Sequence, residues 1–217
     1  MAITYTKTGL AAVIADDLAR PDLSSQIDNA IEHAIGERQD ERFFFNETNS
    51  TSFDTVANQA TYATSDDADI PLFYEVDGLV LEDSDGNRFD LGEPIDPVRM
   101  QLLQASAAAA TGQPYEYAYF DESFVFDPVP DAVYTIYPVG HIEIAIPAAD
   151  DAGNPWMTQR GAFWLIHADA KAYLYAHVIK DTEQAAVMVD AAQGAVAKLR
   201  SRTSRKKASG TITPTSW

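Results

Sequence analysis

Apolar residues near the amino terminus recur at the three- and four-residue spacing of amphipathic helices. Between residues 8 and 42 they form two stripes separated by Pro21. The stripes consist of Leu10, Val13, Ile14 and Leu18, followed by Ile27, Ile31, Ala34 and Ile35. The pattern predicts a helical pair, in which the chain breaks at Arg20-Pro21 and either Asp22 or Ser24 caps the second helix.

The pattern changes at residue 43, where aromatic residues, Pro, Gly and Asp become frequent and short β-prone runs replace the helical spacing. The predicted strands are Phe43 to Phe45, Tyr74 to Leu81, Tyr115 to Phe120, Ser123 to Phe126, Val133 to Tyr137 and His141 to Ile146. One helix, from about Asp96 to Ala109, is expected to interrupt them. The middle of the chain is therefore predicted to be rich in β-structure.

The segment from Asp83 to Glu93 allows two interpretations. Its Asp85-Gly86 pair is typical of a tight hairpin, because glycine accepts the positive φ that such a turn requires. The alternation of Asp83, Asp85 and Asn87 also resembles a calcium-binding loop. In that loop the required glycine would fall at position 88, which is Arg, so the sequence favours the hairpin.

Helical spacing returns from Met157 to Arg200. The stretch from Phe163 to Ile179 is apolar on nearly every side, so it needs a second covering surface, either from the same chain or from another subunit. The candidates for packing between subunits are Trp164, Leu165 and Tyr175. Asp181 together with Gln184 predicts the N-terminal cap of a last helix, which carries a narrower apolar stripe.

These patterns together predict an α+β fold. Its helical core is built from the N-terminal and C-terminal helix pairs, with a β-rich insertion between them and an extended C-terminal tail. The expected segments are residues 1–42 for the N-terminal helices, 43–156 for the insertion, 157–200 for the C-terminal helices and 201–217 for a basic tail.

The tail is rich in Ser, Thr and basic residues, and it buries too little apolar surface to order itself. It nevertheless ends on Trp217, after Thr211-Ile212-Thr213. A terminal aromatic residue in this setting is typical of a segment that adds a strand to a partner or fills a pocket on it. The alternative is a tail without a role.

Charge is distributed unevenly in this chain, whose formal net charge is −18. Residues 1–197 contain all 33 acidic residues and nine of the 15 basic ones, a net charge of −24, whereas residues 198–217 contain six basic residues and no acid. Such an acidic body repels nucleic acid at long range, which would suit a surface past which DNA slides. The alternatives are acids that serve solubility alone, or a salt-rich habitat.

The sequence contains none of the common catalytic motifs: no phosphate-binding loop, no Gly-x-Gly-x-x-Gly turn, no His-Glu-x-x-His pair and no nucleophile elbow. It has no cysteine, which excludes disulfides, thiolate zinc sites and cysteine nucleophiles. His167 and His177 stand ten residues apart, not at the three- or four-residue separation of a helical metal pair. We therefore expect no enzyme activity, catalytic residue, metal or cofactor; the enzyme alternative is a carboxylate-dependent hydrolase.

Membrane insertion and secretion are also not expected. No apolar run approaches the roughly 18 residues that a membrane-spanning helix needs. Acidic residues lie near the amino terminus, where a signal peptide would be apolar.

Two motifs in the β-rich segment carry a resemblance to a known family. They are Pro114-Tyr115-Glu116-Tyr117-Ala118 and Pro128-Val129-Pro130-Asp131-Ala132-Val133-Tyr134. These motifs are similar to the Pro-x-x-Tyr-Ala and Pro-x-Pro-Asp-x-x-Tyr patterns of the head-to-tail adaptor proteins of tailed phages, the type found beneath the portal of short-tailed and some long-tailed phages. The order of helix pair, β insertion and helix pair over residues 8–200 agrees with that family. Tyr62 departs from it, because the proline expected soon after this tyrosine comes only at Pro71.

The resemblance implies a structural virion protein. Adaptors of this type form a ring, normally of twelve copies, that docks on the portal protein, extends the DNA channel and presents a platform for tail or stopper proteins. Genomic DNA passes through such a channel without specific binding, and no membrane is involved. The protein is then expected at the head-tail junction of the virion after assembly in the host cytoplasm.

The C-terminal segments of such adaptors commonly reach along the portal, which gives the basic tail a partner. The residues expected to contact the portal are Arg202, Arg205, Lys206, Lys207, Ile212 and Trp217. One alternative is a tail-completion or stopper protein, which would bind below the adaptor and need no tail that reaches the portal. The other is a binding module outside the virion, which would remain monomeric.

Overall fold

The computed structural model describes residues 3–48, 51–67, 69–105 and 110–207. The chain divides into a helical unit, Met1–Phe45 with Ile144–Trp217, and a β-rich unit, Asn46–Glu143. Helices and mainly antiparallel sheets form an α+β fold, which confirms the predicted fold class. The unit boundaries lie after residues 45 and 143, whereas the sequence pattern placed them after residues 42 and 156.

The first two helices of the helical unit are α1, Lys7–Leu18, and α2, Ser24–Arg38. Helix α1 begins where the Thr6 hydroxyl accepts a hydrogen bond from the Gly9 N–H at 3.1 Å. A short 3₁₀ turn, Pro21–Leu23, separates the two helices at the predicted break. The expected cap of α2 is wrong, because no side chain caps this helix and the Asp22 carboxylate accepts hydrogen bonds from Arg20 instead.

The C-terminal helices are α4, Pro155–Thr158, α5, Arg160–Tyr173, a π-helical turn, Leu174–Ile179, and α6, Thr182–Lys207. The Asp181 carboxylate accepts a hydrogen bond from the Gln184 N–H at 3.0 Å, which confirms the predicted cap of the last helix. Helix α5 packs against α1, α2 and α6. Its buried residues are Ala162, Phe163, Leu165, Ile166, Ala168, Ala170, Lys171 and Ala172. The same chain therefore provides the surface that covers this helix on most sides.

The predicted strand at residues 43–45 is absent, and residues 44 and 45 form a turn. Phe43 is fully buried in the core of the helical unit, where its ring lies 5.4 Å from that of Phe45 and 6.2 Å from that of Trp156. The aromatic run is thus explained by packing between helices and not by strand propensity.

The β-rich unit contains short strands around one long antiparallel pair. The strands are β1, Glu47–Thr48; β2, Phe53–Asp54; β3, Thr61–Ala63; β4, Phe73–Glu82; β5, Arg88–Asp90; β6, Thr111–Gly112; β7, Glu116–Phe120; β8, Ser123–Asp127; β9, Val129–Pro130; and β10, Thr135–Ile142. One sheet has the order β1-β10-β4-β5, with β2 also on β10, and a second has the order β3-β8-β7. The two runs predicted between residues 133 and 146 overlap a single strand, β10, which begins at Thr135 and ends at Ile142.

The segment after β4 is a hairpin, as the Asp-Gly pair predicts. The Asp83 N–H donates to the Asn87 carbonyl at 3.0 Å, and Gly86 has a φ of 81°. The Asp83 carboxylate accepts hydrogen bonds from the Asp85 and Asn87 N–H groups, both at 2.9 Å. Hydrogen bonds from Asn87 lower the pKa of Asp83. This carboxylate therefore serves the turn.

Helix α3, Pro97–Gln104, begins at Asp96, whose carboxylate accepts hydrogen bonds from the Val98 and Arg99 N–H groups at 2.8 and 3.2 Å. It is shorter than the predicted helix, whose last positions, 106–109, lie outside the described residues. Met100 faces the strands and is fully buried with Ala118 and Val125.

Candidate functional site

The carboxyl-terminal end of α6 is fixed to the segment that follows α2. Thr203 is buried; its hydroxyl accepts a hydrogen bond from the Phe44 N–H at 3.1 Å and donates to the Leu199 carbonyl at 3.0 Å. Lys206 Nζ lies 3.7 Å from the centre of the Phe44 ring. The prediction of an extended chain from residue 201 is therefore wrong as far as Lys207. These residues continue the helix because Thr203 and Lys206 have partners on the helical unit.

The proposed portal contacts fall on both sides of this helix end. Arg202 and Arg205 are exposed on α6, and Arg205 Nε donates to the Ser201 carbonyl at 3.3 Å. Lys207 is the last residue of the helix. Ile212 and Trp217 lie outside the described residues.

An ion-pair network joins α2, α5 and α6 beside this helix end. Arg38 forms a two-pronged pair with Asp169, with N–O distances of 2.8 and 3.0 Å. The Glu41 carboxylate accepts hydrogen bonds from Arg38 at 3.1 Å and from Arg200 at 2.8 Å. Arg38 and Arg200 are thus neutralised within the chain.

A groove of about 780 Å³ lies between α5 and α6, and we call it the α5–α6 groove. The two helices approach closely at Gly161, where an added methyl group would lie 2.7 Å from Leu199 Cδ2. Trp164 borders the groove and keeps 40% of its surface exposed. The small and apolar residues that line the groove are Gly161, Ala168, Met188, Ala191, Gly194 and Ala195. The groove therefore has an apolar floor.

The three candidates for packing between subunits have different environments. Leu165 is fully buried in the core of its own helical unit, so this residue is covered by the same chain and not by another subunit. Tyr175 is partly buried in the π-helical turn. Trp164 is the one of the three that retains a large exposed surface and lines a groove.

Three cations of the α5–α6 groove have no carboxylate partner among the described residues: Arg160, Lys198 and Arg202. The Arg160 guanidinium lies over the Tyr5 ring at 5.6 Å. Most other basic residues pair with a carboxylate at 2.6–2.8 Å, namely Lys7, Arg20, Arg38, Arg88, Arg99, Lys171 and Arg200. Unneutralised positive charge thus collects in this groove, where Asp190 is the one acidic lining residue.

The α5–α6 groove was not among the features that the sequence pattern predicts. Its cations come from different helices, Arg160 from α5 and the other two from α6, so they are far apart along the chain. The small residues on α6, at positions 191, 194 and 195, were the available signal, because they recur at helical spacing.

The acidity of the chain is concentrated in the β-rich unit. This unit contains 19 acidic and two basic residues, a net charge of −17, whereas the helical unit contains 14 acidic and 13 basic residues. Both basic residues of the β-rich unit are paired, Arg88 with Glu82 and Arg99 with Glu116. The charge boundary that the sequence suggested near residue 197 is therefore accompanied by a second one between the units.

The most exposed large apolar side chains of the described residues are Leu102, 71% exposed, and Val98, 64% exposed. They lie four residues apart on α3, so they share one face of that helix. The opposite face carries the buried Met100. Helix α3 thus presents an apolar pair on a strongly acidic unit.

A partly buried charge cluster connects α1 to α5. The Asp17 carboxylate accepts hydrogen bonds from Lys171 Nζ at 2.8 Å and from His167 Nε2 at 2.9 Å. Burial alone would raise the pKa of Asp17, but the hydrogen bonds from Lys171 and His167 outweigh burial and lower it. Burial lowers the pKa of His167, and the nearby Lys171 lowers it further, whereas Asp17 opposes both effects. His167 is therefore neutral near neutral pH.

We expect His167→Gln to reduce the loss of stability between pH 7 and pH 5. In the folded chain the pKa of His167 lies below 6.5, the usual value for histidine, so the contribution of this residue to stability is complete above pH 6.5. This contribution is lost as the pH falls toward the folded pKa, because the unfolded chain binds the proton first. Urea unfolding of both chains at the two pH values measures the difference. His33→Gln, at an exposed histidine, is the control; an equal pH dependence for His167→Gln and the unmodified chain would contradict the prediction.

The first family motif is placed on β7. Tyr117 and Ala118 are fully buried, Pro114 is buried, and Tyr115 is 62% exposed. The Tyr117 hydroxyl donates to the Gly92 carbonyl at 3.0 Å, and burial raises the pKa of this tyrosine. The motif therefore anchors the sheet to the chain that precedes α3.

The second family motif forms the connection from β8 to β10. The Asp127-Pro128 peptide is cis, and Pro130 pairs with Gly112 in the short parallel ladder of β9 and β6. The Tyr134 hydroxyl donates to the Asp131 carboxylate at 2.7 Å, and burial together with this carboxylate raises the pKa of Tyr134 to about 12. These residues shape the backbone between the two strands.

The remaining histidines of the described residues contact neighbouring side chains. No three His, Asp or Glu side chains among them are grouped so that they could hold a metal ion. His141 is buried in a hydrogen bond with Asn46 at 3.0 Å, and His177 lies against the Tyr173 ring at 4.7 Å. No helix in the described part of the chain is both long and apolar enough to cross a membrane.

Comparison with known proteins identifies the family. The family model described as SU10 adaptor protein matches residues 5–215, which is almost the whole chain. A search of curated proteins found no match to the chain. The match includes both motifs of the β-rich unit and all helices of the helical unit. The chain therefore belongs to the SU10 adaptor protein family and is a phage head-to-tail adaptor.

Proposed function

We propose that this adaptor forms a ring of twelve copies under the portal, extends the DNA channel and provides the attachment platform for tail proteins. The family match over residues 5–215 carries the proposal. Its partners are the portal protein, neighbouring copies of itself, tail or stopper proteins below, and the genomic DNA that passes through. The protein acts at the head-tail junction of the virion after assembly in the host cytoplasm, without a catalytic or cofactor-dependent step.

The charge of the β-rich unit supports the role in the channel. A net charge of −17 with both basic residues paired gives this unit a strongly negative surface. DNA phosphates are repelled by such a surface, so DNA slides past it without binding. We assign the lining of the channel to the β-rich unit for this reason.

The contact with the portal is assigned to the end of α6 and the residues that follow it. Arg202 and Arg205 are exposed, whereas Lys206 already contacts Phe44. Thr203 fixes the end of α6, so the last described residues have a defined position on the helical unit. Lys207, Ile212 and Trp217 are proposed to extend this contact along the portal.

The proposed mechanism is ordered assembly. A ring closes by a heterologous contact, in which one side of each subunit meets the opposite side of the next. Individual contacts of this kind are small, so free subunits remain apart. Docking on the portal raises their local concentration and allows the basic tail to order on its partner, which makes ring closure depend on the portal.

Electron microscopy of the protein alone and with the portal of the same phage tests the proposal. We expect a ring at the narrow end of the portal, with density that rises from each subunit. A stopper would bind only once another adaptor is in place, and a binding module outside the virion would not associate. The absence of a ring on the portal would overturn the proposal.

A further inference from the structure

We infer that the α5–α6 groove is the acceptor side of the contact between neighbouring copies, and that its occupant is the exposed face of α3 from the next copy. The inference rests on the proposed function, because it specifies the contact by which the ring closes. The two surfaces belong to different units of the chain, and a contact between different surfaces is the kind that generates a ring.

The chemistry of the groove defines what it can bind. Its floor is lined by small and apolar side chains. Trp164 lies beside this floor, and 40% of the Trp164 surface is exposed. Exposed tryptophan next to well-packed apolar residues is typical of the residues that dominate binding energy at protein interfaces. The groove therefore favours an apolar side chain, which would cover the indole ring and displace water from the floor.

Because the groove contains cations, its ligand should also carry negative charge. Arg160 and Lys198 are not assigned to the portal, and they have no carboxylate partner among residues 3–48, 51–67, 69–105 and 110–207, although seven other basic residues do. A ligand with carboxylates beside its apolar group would neutralise them. Double-stranded DNA meets only part of this requirement, because it offers phosphates but no apolar side chain, and Asp190 in the groove repels it.

Helix α3 of a second copy supplies both features. Leu102 and Val98 are 71% and 64% exposed on one face, and no other large apolar side chains of the described chain are more exposed. The helix belongs to a unit with a net charge of −17, and Glu93 and Asp96 directly precede it. The complement of a cationic groove with an apolar floor is thus present on the chain itself.

The absence of cysteine from the natural sequence allows a direct test by disulfide formation. Leu102→Cys places a thiol on the exposed face of α3, and Gly194→Cys places one in the groove, where an added Cβ meets nothing within 4 Å. The two single variants are mixed in equal amounts, assembled on the portal and oxidised. We expect a covalent dimer in the mixture and none in either variant alone, because only the mixture brings the two thiols together.

Gly36→Cys is the matched control for the groove position. Its added Cβ also meets nothing within 4 Å, and it lies on α2 outside the groove. With Leu102→Cys it should give at least about tenfold less dimer than Gly194→Cys does. Circular dichroism of each variant verifies that it folds before assembly.

The outcomes separate this inference from the proposed function. A ring seen on the portal without a dimer, or with equal dimer from Gly36→Cys, overturns the contact and leaves the adaptor ring in place. Cross-linking within a Gly194→Cys/Leu102→Cys double variant but not between the single variants would show a contact inside one chain, which also overturns it. Failure to form any ring overturns the proposed function and the inference with it.

A charge reversal gives an independent readout. Lys198→Glu should lower ring occupancy on the portal at least about tenfold, since it places a carboxylate opposite the acidic unit of the next copy. Lys180→Glu changes the same charge at an exposed position that does not line the groove, so it should leave occupancy unchanged. Equal occupancy for the two variants would contradict the inference.

Discussion

A chain that ends at Lys207 is expected to bind the portal at least about 100-fold more weakly than the full chain. The deleted residues 208–217 include Ile212 and Trp217, the apolar residues proposed for portal contact. Burial of one tryptophan removes about 200 Å² from water, which stabilises a complex by roughly 5 kcal/mol at 25 cal/mol per Å². Ordering of the segment offsets part of this gain. The remaining ~2.7 kcal/mol corresponds to the expected loss of affinity of about 100-fold.

The deletion point is chosen so that the helical unit keeps its contacts. Thr203 and Lys206 both remain, so the end of α6 stays attached to Phe44. Deletion from Ser201 would instead remove these contacts and combine a folding effect with a binding effect. Titration onto immobilised portal at a fixed salt concentration measures the affinity, and Trp217→Ala in the full chain isolates the aromatic residue.

Two results would contradict an apolar portal contact at residues 208–217. One is unchanged affinity of the shortened chain, which would place the whole portal contact on the described residues. The other is an equal loss on Arg205→Ala alone, which would make the contact electrostatic, because Arg205 is exposed and carries no apolar anchor. An electrostatic contact would also weaken steeply as the salt concentration rises.

Local patterns explain which parts of this fold were predicted. The spacing of Leu10 and Ile14 predicts α1 correctly, because a helix that buries one face must repeat its apolar residues within a few positions. The Asp85-Gly86 pair predicts the hairpin for a similar reason, since the turn depends on its own backbone angles. Both signals lie within a short stretch of sequence.

The errors arose where a distant partner decides the structure. Phe43 has strong strand propensity, but it is buried against Trp156, more than a hundred residues away in sequence. The helix through Lys206 likewise depends on Phe44. Ser201 and its neighbours carry no strong apolar pattern, so the sequence alone favoured an extended tail there.

The candidate interaction surface illustrates the same limit. Trp164 and Leu165 are adjacent in sequence and equally apolar, yet one is 40% exposed and the other is fully buried. Which of them can reach another molecule depends on where α1, α2 and α6 pack around α5. Lys198 has no carboxylate partner among the described residues, and this depends on where carboxylates from the whole fold lie, which no local motif encodes.

Gly140→Ala is expected to destabilise the β-rich unit by at least about 3 kcal/mol. Gly140 lies in β10 opposite Val76, where the pairing of β10 with β4 changes register. A methyl group at this position would overlap the Glu75 carbonyl oxygen and lie 3.0 Å from Val76 Cα. These are backbone atoms of the paired strand, so no side-chain rotation can relieve the contact. The strands must shift or separate.

Gly36→Ala is the matched control, because its added Cβ meets nothing within 4 Å. Alanine in place of glycine within α2 should stabilise the helical unit by about 0.5–1 kcal/mol. Hydrogen exchange of the amides in β4 measures the first effect. Tryptophan fluorescence reports on the rest of the chain, since Trp156, Trp164 and Trp217 all lie outside the β-rich unit. Unchanged exchange in β4 of the Gly140→Ala chain would show that the strand pairing tolerates a side chain here.

The same variant separates the proposed roles of the two units. All proposed portal contacts lie in α6 and the residues after it, so a chain with a loosened β-rich unit should still bind the portal. Ring closure should fail, because helix α3 packs its buried Met100 against Ala118 and Val125 of that unit and loses its position when the strands separate. Portal binding without a closed ring is therefore the expected behaviour of Gly140→Ala. If the Gly140→Ala chain formed a closed ring although hydrogen exchange of its β4 amides had increased, the contacts between copies would lie in the helical unit alone.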